Sequence, residues 1–221
     1  MGVDHAIVVA SGANVPARAR AALRDDAYVV GADGGIDAAL ALGLVVDLAM
    51  GDFDSVSAEG LAKVEAAGAR VERHPAAKDA TDLELALDAA IERGARDVVV
   101  LAADGGRLDH LLSAAAVLTA PARSGVRIRA WFGGHELVVV TPITPASIEG
   151  TPGAIVTLLP VNGPARGVRT EGLVYPLHDE DLIAGTSRGV SNVLVDDSAQ
   201  VSIAGGTLLA VIPEEEERNI Q

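Results

Sequence analysis

The sequence predicts an α/β protein: a doubly wound, mainly parallel six-stranded sheet followed by a smaller antiparallel β-sandwich domain. Three observations carry this expectation. Through about residue 132, short β-branched runs alternate with Ala- and Leu-rich stretches of helical length, the pattern of repeated strand–helix units. Runs such as Val98-Val99-Val100-Leu101 are apolar without alternation, which suits strands buried on both faces of a parallel sheet. After Gly133-Gly134 the helical periodicity fades and Pro and Gly become frequent, as expected for short strands joined by turns.

Taken in order, the first-half strands are expected at 6–10, 28–31, 48–50, 70–73, 98–102 and 126–132, with helices at 16–23, 36–42, 58–67, 83–93 and 108–120. Gly43, Gly68, Gly94 and Gly125 each follow a predicted helix, where a left-handed C-terminal cap is wanted. In the second half, strand-like runs occupy 137–141, 155–159, 167–170, 193–196, 201–204 and 208–212. The change of pattern places the domain boundary near residues 133–136, giving domains 1–134 and 135–221.

Composition narrows the class of function. Hydrophobic residues make up 49% and charged residues 22% of 221 residues, within the range of globular proteins. No apolar run reaches the roughly 18 residues of a membrane span, and Met1–His5 lack the start of a signal peptide. A cytoplasmic location is expected. Cysteine is absent, which removes disulfides, thiolate catalysis and zinc–thiolate sites. The net charge of −14 argues against nucleic acid and anionic membranes, which require a positive surface. A nucleotide substrate stays open, because a bound divalent cation inverts the local field. The run Glu214-Glu215-Glu216-Glu217 reads as a solvated end.

Ligands of an open parallel sheet bind beyond the carboxyl ends of its strands. Four acidic or glycine-rich segments fall at such turns: Asp33-Gly34-Gly35, Asp52-Phe53-Asp54-Ser55, Lys78-Asp79-Ala80-Thr81-Asp82 and Asp104-Gly105-Gly106-Arg107-Leu108-Asp109. All four therefore gather on one rim. Magnesium takes hard oxygen ligands and joins carboxylates to substrate phosphates. Asp52 and Asp54, two residues apart, point the same way from an extended segment, and Asp82 could complete the set. Lys78, Arg107 and Arg188 are cations available to phosphate, and Gly34-Gly35 permits close backbone approach. Each segment also has a plain structural reading. Thr81-Asp82-Leu83-Glu84 matches a capping box, and Asp33 and Asp109 suit helix N-termini by charge. There is no P-loop, no G-x-G-x-x-G and no histidine spacing typical of a metal site; His110, beside Asp109, lies nearest the rim.

Ala32-Asp33-Gly34-Gly35, Gly51-Asp52-Phe53-Asp54-Ser55, Lys78-Asp79-Ala80-Thr81-Asp82-Leu83-Glu84, Gly106-Arg107-Leu108-Asp109-His110 and Gly185-Thr186-Ser187-Arg188-Gly189-Val190-Ser191-Asn192 together closely resemble the thiamine pyrophosphokinase family. The resemblance implies an ATP-binding α/β catalytic domain, a β-sandwich thiamine-binding domain, a homodimer, and transfer of the pyrophosphoryl group of ATP to thiamine with Mg2+. It maps the family's metal carboxylates onto Asp52, Asp54 and Asp82. Asp33 and Asp109 match positions near ATP or the transferred group, with Asp79 and Thr81 in support. Ser191-Asn192 matches the segment that holds the aminopyrimidine ring. This chain departs from the pattern after that segment, where Val193-Leu194-Val195 stands and some relatives carry an aromatic residue.

Two other readings use parts of the same pattern. A haloacid-dehalogenase-like phosphatase would make Asp52 a covalent nucleophile, leaving the other motifs unexplained. A non-catalytic thiamine- or nucleotide-binding regulator would keep the scaffold without turnover.

Overall fold

The computed structural model describes residues 2–10, 15–103 and 107–214. The chain divides into two compact units, one of residues 1–114 with 130–133, the other of residues 115–129 with 134–221.

The first unit is a mixed α/β layer structure. Its strands β1 (His5–Val9), β2 (Tyr28–Ala32), β3 (Leu48–Gly51), β4 (Arg70–Arg73) and β5 (Asp97–Ala102) alternate with helices α1 (Ala17–Ala21), α2 (Gly35–Ala41), α3 (Ala58–Ala66) and α4 (Asp82–Glu92). Helix α5 (Leu108–Leu118) and strand β6 (Arg127–Phe132) follow, and the division between the units falls within each of them. The strand order is β4-β3-β2-β1-β5-β6, and β1–β2, β2–β3, β3–β4 and β1–β5 are all parallel. The chain thus winds outward from β1 to β4 and then jumps to the other side of β1. The strand order reverses there, so the crevice for a ligand lies beyond the carboxyl ends of β1 and β5. The first-loop residues Ser11–Asn14 and the segment Asp104–Gly106 leave those two ends and lie outside the described residues.

Buried aliphatic side chains hold this unit together. Ile7, Val9, Ile36, Val64 and Leu101 form one core cluster with Trp131, the single tryptophan, which is 2% exposed. Fully burying each such side chain is worth about 1.5–3 kcal/mol. Gly43, Gly68 and Gly94 take positive φ after α2, α3 and α4, whereas Gly125 does not.

The second unit is antiparallel. Its strands are β7 (His135–Val140), β8 (Ala146–Glu149), β9 (Ile155–Glu171), β10 (His178–Leu182), β11 (Asn192–Val193), β12 (Ser198–Ser202) and β13 (Gly205–Ile212), in the order β7-β13-β9-β12-β8, with β10 and β11 also paired to β9. Strand β9 runs for 17 residues where the sequence suggested two separate strands. Pro160, Gly163 and Pro164 read as a break, but β13 follows β9 past them with a register shift between Gly205 and Thr207. Such a shift is how a strand accommodates an extra residue and bends. Asn162 and Gly163, both at positive φ, lie in that bend. Val140, Ile148, Val156, Leu158, Leu182 and Leu208 belong to a separate aliphatic core.

Candidate functional site

The carboxyl ends of β2 and β3 build an acidic cluster. Asp33, Asp52 and Asp54 each place a carboxylate oxygen within 4.8 Å of the others, the one such group that could hold a metal among the described residues. Backbone geometry explains why they meet. β2 and β3 are paired neighbours, and the Asp33 N–H donates to the Met50 carbonyl at 2.8 Å. Asp33 (φ 50°) and Phe53 (φ 63°) both occupy the left-handed region, costly for a side chain bearing a Cβ and concentrated at functional sites.

Ser55 ties the two turns together. Its hydroxyl donates to Asp33 Oδ2 and accepts from the Gly34 N–H at 3.1 Å. The Asp54 N–H donates to Asp52 Oδ1 at 3.2 Å, closing the loop on itself. Behind it, Asp37 accepts from both the N–H and the hydroxyl of Ser57 at 2.7 Å, and Ser57 caps α3 by accepting from the Gly60 N–H. Ser55 and Asp37 were not singled out from sequence. Ser55 carried a signal, sitting beside the Asp-x-Asp pair.

The crowding of carboxylates has an electrostatic result. Asp52, then Asp33, push the Asp54 carboxyl above its ordinary range, with Asp82 a lesser contributor. Like charges held together disfavour further ionisation, and a divalent cation relieves that repulsion. Three carboxylates with no nitrogen or sulfur donor are also the hard oxygen set that magnesium takes.

The other expected residues occupy the rim in varying relation to this cluster. Asp82 opens α4 and is ion-paired to Lys78 Nζ at 2.5 Å, four residues back. Thr81 caps that helix, accepting from the Glu84 N–H at 3.2 Å, so its side chain has the structural role that its spacing suggested. Asp79 is exposed beside it. Gly34 and Gly35 open α2, and Gly35 lies so close to β1 that a Cβ there would fall 1.9 Å from the Val9 carbonyl oxygen. Arg107 and Asp109, exposed at the start of α5, pair with each other at 2.5 Å, and that contact lowers the Asp109 carboxyl below its usual range. They follow β5, three strand positions from β3 and hence roughly 14 Å away along the rim.

A cleft of about 420 Å³ opens beside Gly34, lined by Val15, Arg20, Asp37, Ala38 and Leu42. Another of about 460 Å³ lies at the amino ends of β1 and β2, lined by Asp4, His5, Asp26 and Asp47. That second cleft is on the opposite edge of the sheet from the carboxylate cluster.

In the second unit, Arg188 pairs with Glu180. Ser191 is exposed at φ 56°, its N–H donating to the Thr157 hydroxyl at 3.0 Å. Asn192 is 4% exposed, with its amide turned into the protein.

Comparison with known proteins agrees with both halves of this description. The family model described as "Thiamin pyrophosphokinase, catalytic domain" matches residues 19–130, and "Thiamin pyrophosphokinase, vitamin B1 binding domain" matches residues 143–208. A thiamine pyrophosphokinase of Bacillus subtilis (strain 168) is 26% identical over 182 residues, covering 82% of this chain and 85% of its own length. The crystal structure of thiamin pyrophosphokinase from Geobacillus thermodenitrificans superposes with a TM-score of 0.78 at 28% identity, over 96% of this chain and 99% of that one. The enzyme from Candida albicans shares the fold alone, with a TM-score of 0.73 at 15% identity over 94% of this chain and 89% of that one. The acidic rim and the antiparallel second unit thus fall within two models of one family, matched in order along the sequence, and the chain belongs to the thiamin pyrophosphokinase family.

Proposed function

We propose that this chain transfers the pyrophosphoryl group of ATP to thiamine, giving thiamine diphosphate and AMP. The observation that carries this reading is the Asp33–Asp52–Asp54 cluster at the carboxyl edge of the catalytic-domain sheet. In the reaction the hydroxyethyl oxygen of thiamine bonds to the β-phosphorus and loses its proton. The bond from that phosphorus to the α,β-bridging oxygen breaks, and AMP leaves with the oxygen. Negative charge shifts among the phosphate oxygens, so catalysis depends on positioning and electrostatic stabilisation.

Asp52 and Asp54, joined by Asp33, would hold magnesium, and Asp82 lies near enough to influence Asp54. When bound, the ion would supply charge neutralisation and a template for the phosphates. Ser55 keeps the Asp33 carboxylate aimed at the cluster. A triphosphate reaching the rim competes for the Lys78 ammonium and so frees Asp82 to join the carboxylates. Gly34 and Gly35 bring backbone close to the phosphates, with Asp79 and Thr81 supporting the same wall. Arg107 and Asp109 sit across the strand-order reversal, where the leaving nucleotide's charge would meet a cation. In this reading residues 1–134 are the ATP-binding domain and residues 135–221 a β-sandwich that binds thiamine, with Arg188, Ser191 and Asn192 on its acceptor side. The working form is a cytoplasmic homodimer. No helix among the described residues is long and apolar enough to cross a membrane.

The deciding experiment incubates the purified chain with ATP, magnesium and thiamine and follows products by chromatography. AMP and thiamine diphosphate in equal amounts are expected. Phosphate release without AMP would instead indicate a phosphatase, and tight binding without turnover a regulator; no observation favours either.

A further inference from the structure

We propose that Tyr175 is the aromatic platform on which the acceptor's rings rest, and that Asn192 is its positioning residue rather than a ligand contact. This rests on the thiamine reading above. Residues 134–221 contain a single aromatic side chain, Tyr175, and it is 67% exposed. It does not stand alone. Val174 beside it is 49% exposed, and the Val174 N–H donates to the Val193 carbonyl at 2.9 Å. Val193 in turn pairs across the ladder with Ile155, itself 44% exposed. Exposed apolar residues thus adjoin Tyr175 along the chain and along this backbone pairing, on the unit that matches the vitamin B1 binding domain.

The backbone of Tyr175 is held by one buried amide. Asn192 Oδ1 accepts from the Tyr175 N–H at 3.0 Å and from the Val193 N–H at 2.9 Å, while Asn192 Nδ2 donates to the Tyr175 carbonyl at 2.8 Å. An asparagine amide offers two lone pairs and two N–H groups. Both lone pairs and one N–H are thus committed to holding the chain. Pro176 follows and restricts Tyr175 to extended backbone. A ring fixed this way loses little further freedom on binding, since only two side-chain torsions remain.

The chemistry of the acceptor fits such a platform. Thiamine carries a flat aminopyrimidine and a permanently cationic thiazolium. The first stacks on an aromatic ring and the second is attracted to its face. Val193-Leu194-Val195 after Ser191-Asn192 carries no aromatic side chain, and the one ring of residues 134–221 stands on the segment that Asn192 holds.

The test uses the full chain, with KM for thiamine and for ATP measured by AMP formation in wild type, Tyr175→Phe, Tyr175→Ala, Asn192→Asp and the Tyr175→Ala/Asn192→Asp double variant. Tyr175→Phe, which keeps the ring, should stay within about twofold of wild type. Tyr175→Ala should raise the thiamine KM about tenfold, the loss of one good ring contact, with the ATP KM unchanged. Asn192→Asp loses the donor to the Tyr175 carbonyl and should raise the thiamine KM likewise. The double variant should be no worse than Tyr175→Ala, because the asparagine acts through the ring. An unchanged thiamine KM in Tyr175→Ala, or equal rises for both substrates, overturns the platform; additive effects overturn the positioning role. Wild-type protein that forms no AMP with thiamine overturns the parent reading, a result visible before any variant is made.

Discussion

Replacing Gly35 with alanine should damage stability and turnover together, through a single steric contact. An added Cβ would lie 1.9 Å from the Val9 carbonyl oxygen and 2.5 Å from the Val9 carbonyl carbon. Both are backbone atoms of the central strand, so no side-chain rotation relieves the overlap. Opening 1.9 Å to a tolerable separation near 3.0 Å requires the start of α2 to move by about 1.1 Å. Overpacking of this kind costs about 1–3 kcal/mol. At roughly 2–4 °C per kcal/mol for a chain this size, Tm falls by about 2–12 °C. The same displacement carries Asp33 and Gly34, which immediately precede the helix, away from Ser55 and the acidic cluster. A misplacement of about 1 Å at a reacting site costs on the order of a hundredfold in rate. Thermal melting and AMP formation, the latter assayed well below the lowered Tm, measure the two effects separately. Gly34→Ala is a control for the melting effect alone, since its Cβ would meet the Ser55 hydroxyl at 3.0 Å, a side-chain atom that can rotate at the cost of its bond to Asp33. Wild-type melting and kcat in Gly35→Ala would refute the steric argument.

Further outcomes follow from the same geometry. Asp54→Asn should cut kcat by on the order of a hundredfold or more with unchanged circular dichroism; near-normal turnover would remove Asp54 from the proposed magnesium site. In metal-free protein, the raised Asp54 carboxyl keeps its proton at pH values where the unfolded chain has released it. Stability should therefore fall as pH rises from the ordinary aspartate range through that raised value, and recover as pH drops back. Melting in chelator across this window should show the slope in wild type and lose it in Asp54→Asn. Ser57→Ala removes the cap of α3 and should cost about 1 kcal/mol, seen as a lower Tm with AMP formation preserved. Lys78→Ala should raise the KM for ATP more than that for thiamine, measured by the same assay, because its ammonium is paired with Asp82 within the part of the chain that matches the catalytic domain.

The parallel core was legible because its signals are local. Runs such as Val98–Leu101 and the glycines after α2, α3 and α4 announce themselves within a few residues. Strand β9 was not legible as one element, since Pro160 and Pro164 look like interruptions unless the register shift against β13 is known. The site divides along the same line. Asp52 and Asp54 are neighbours in sequence and share a face, so their pairing could be read directly. Asp33 also read as a helix-end charge, because only the β2–β3 pairing brings it within reach of Asp54. Asn192 was expected to face the acceptor through its motif; its burial and its bonds to Tyr175 depend on a loop seventeen residues earlier. Lys78 and Asp82 have the spacing of a neighbouring pair, but that spacing is diagnostic only on a helix, and Lys78 precedes α4.

The distribution of aromatic residues gives the two units separate optical labels. Trp131, packed with Ile7 and Leu101, is the chain's single tryptophan and belongs to the first unit. The second unit contributes one tyrosine, and that ring faces solvent. Tryptophan emission during denaturation therefore tracks the first unit, whereas calorimetry records heat from both. Where the two curves coincide, the halves melt as one cooperative body; where they separate, the gap measures how independently each half holds its structure.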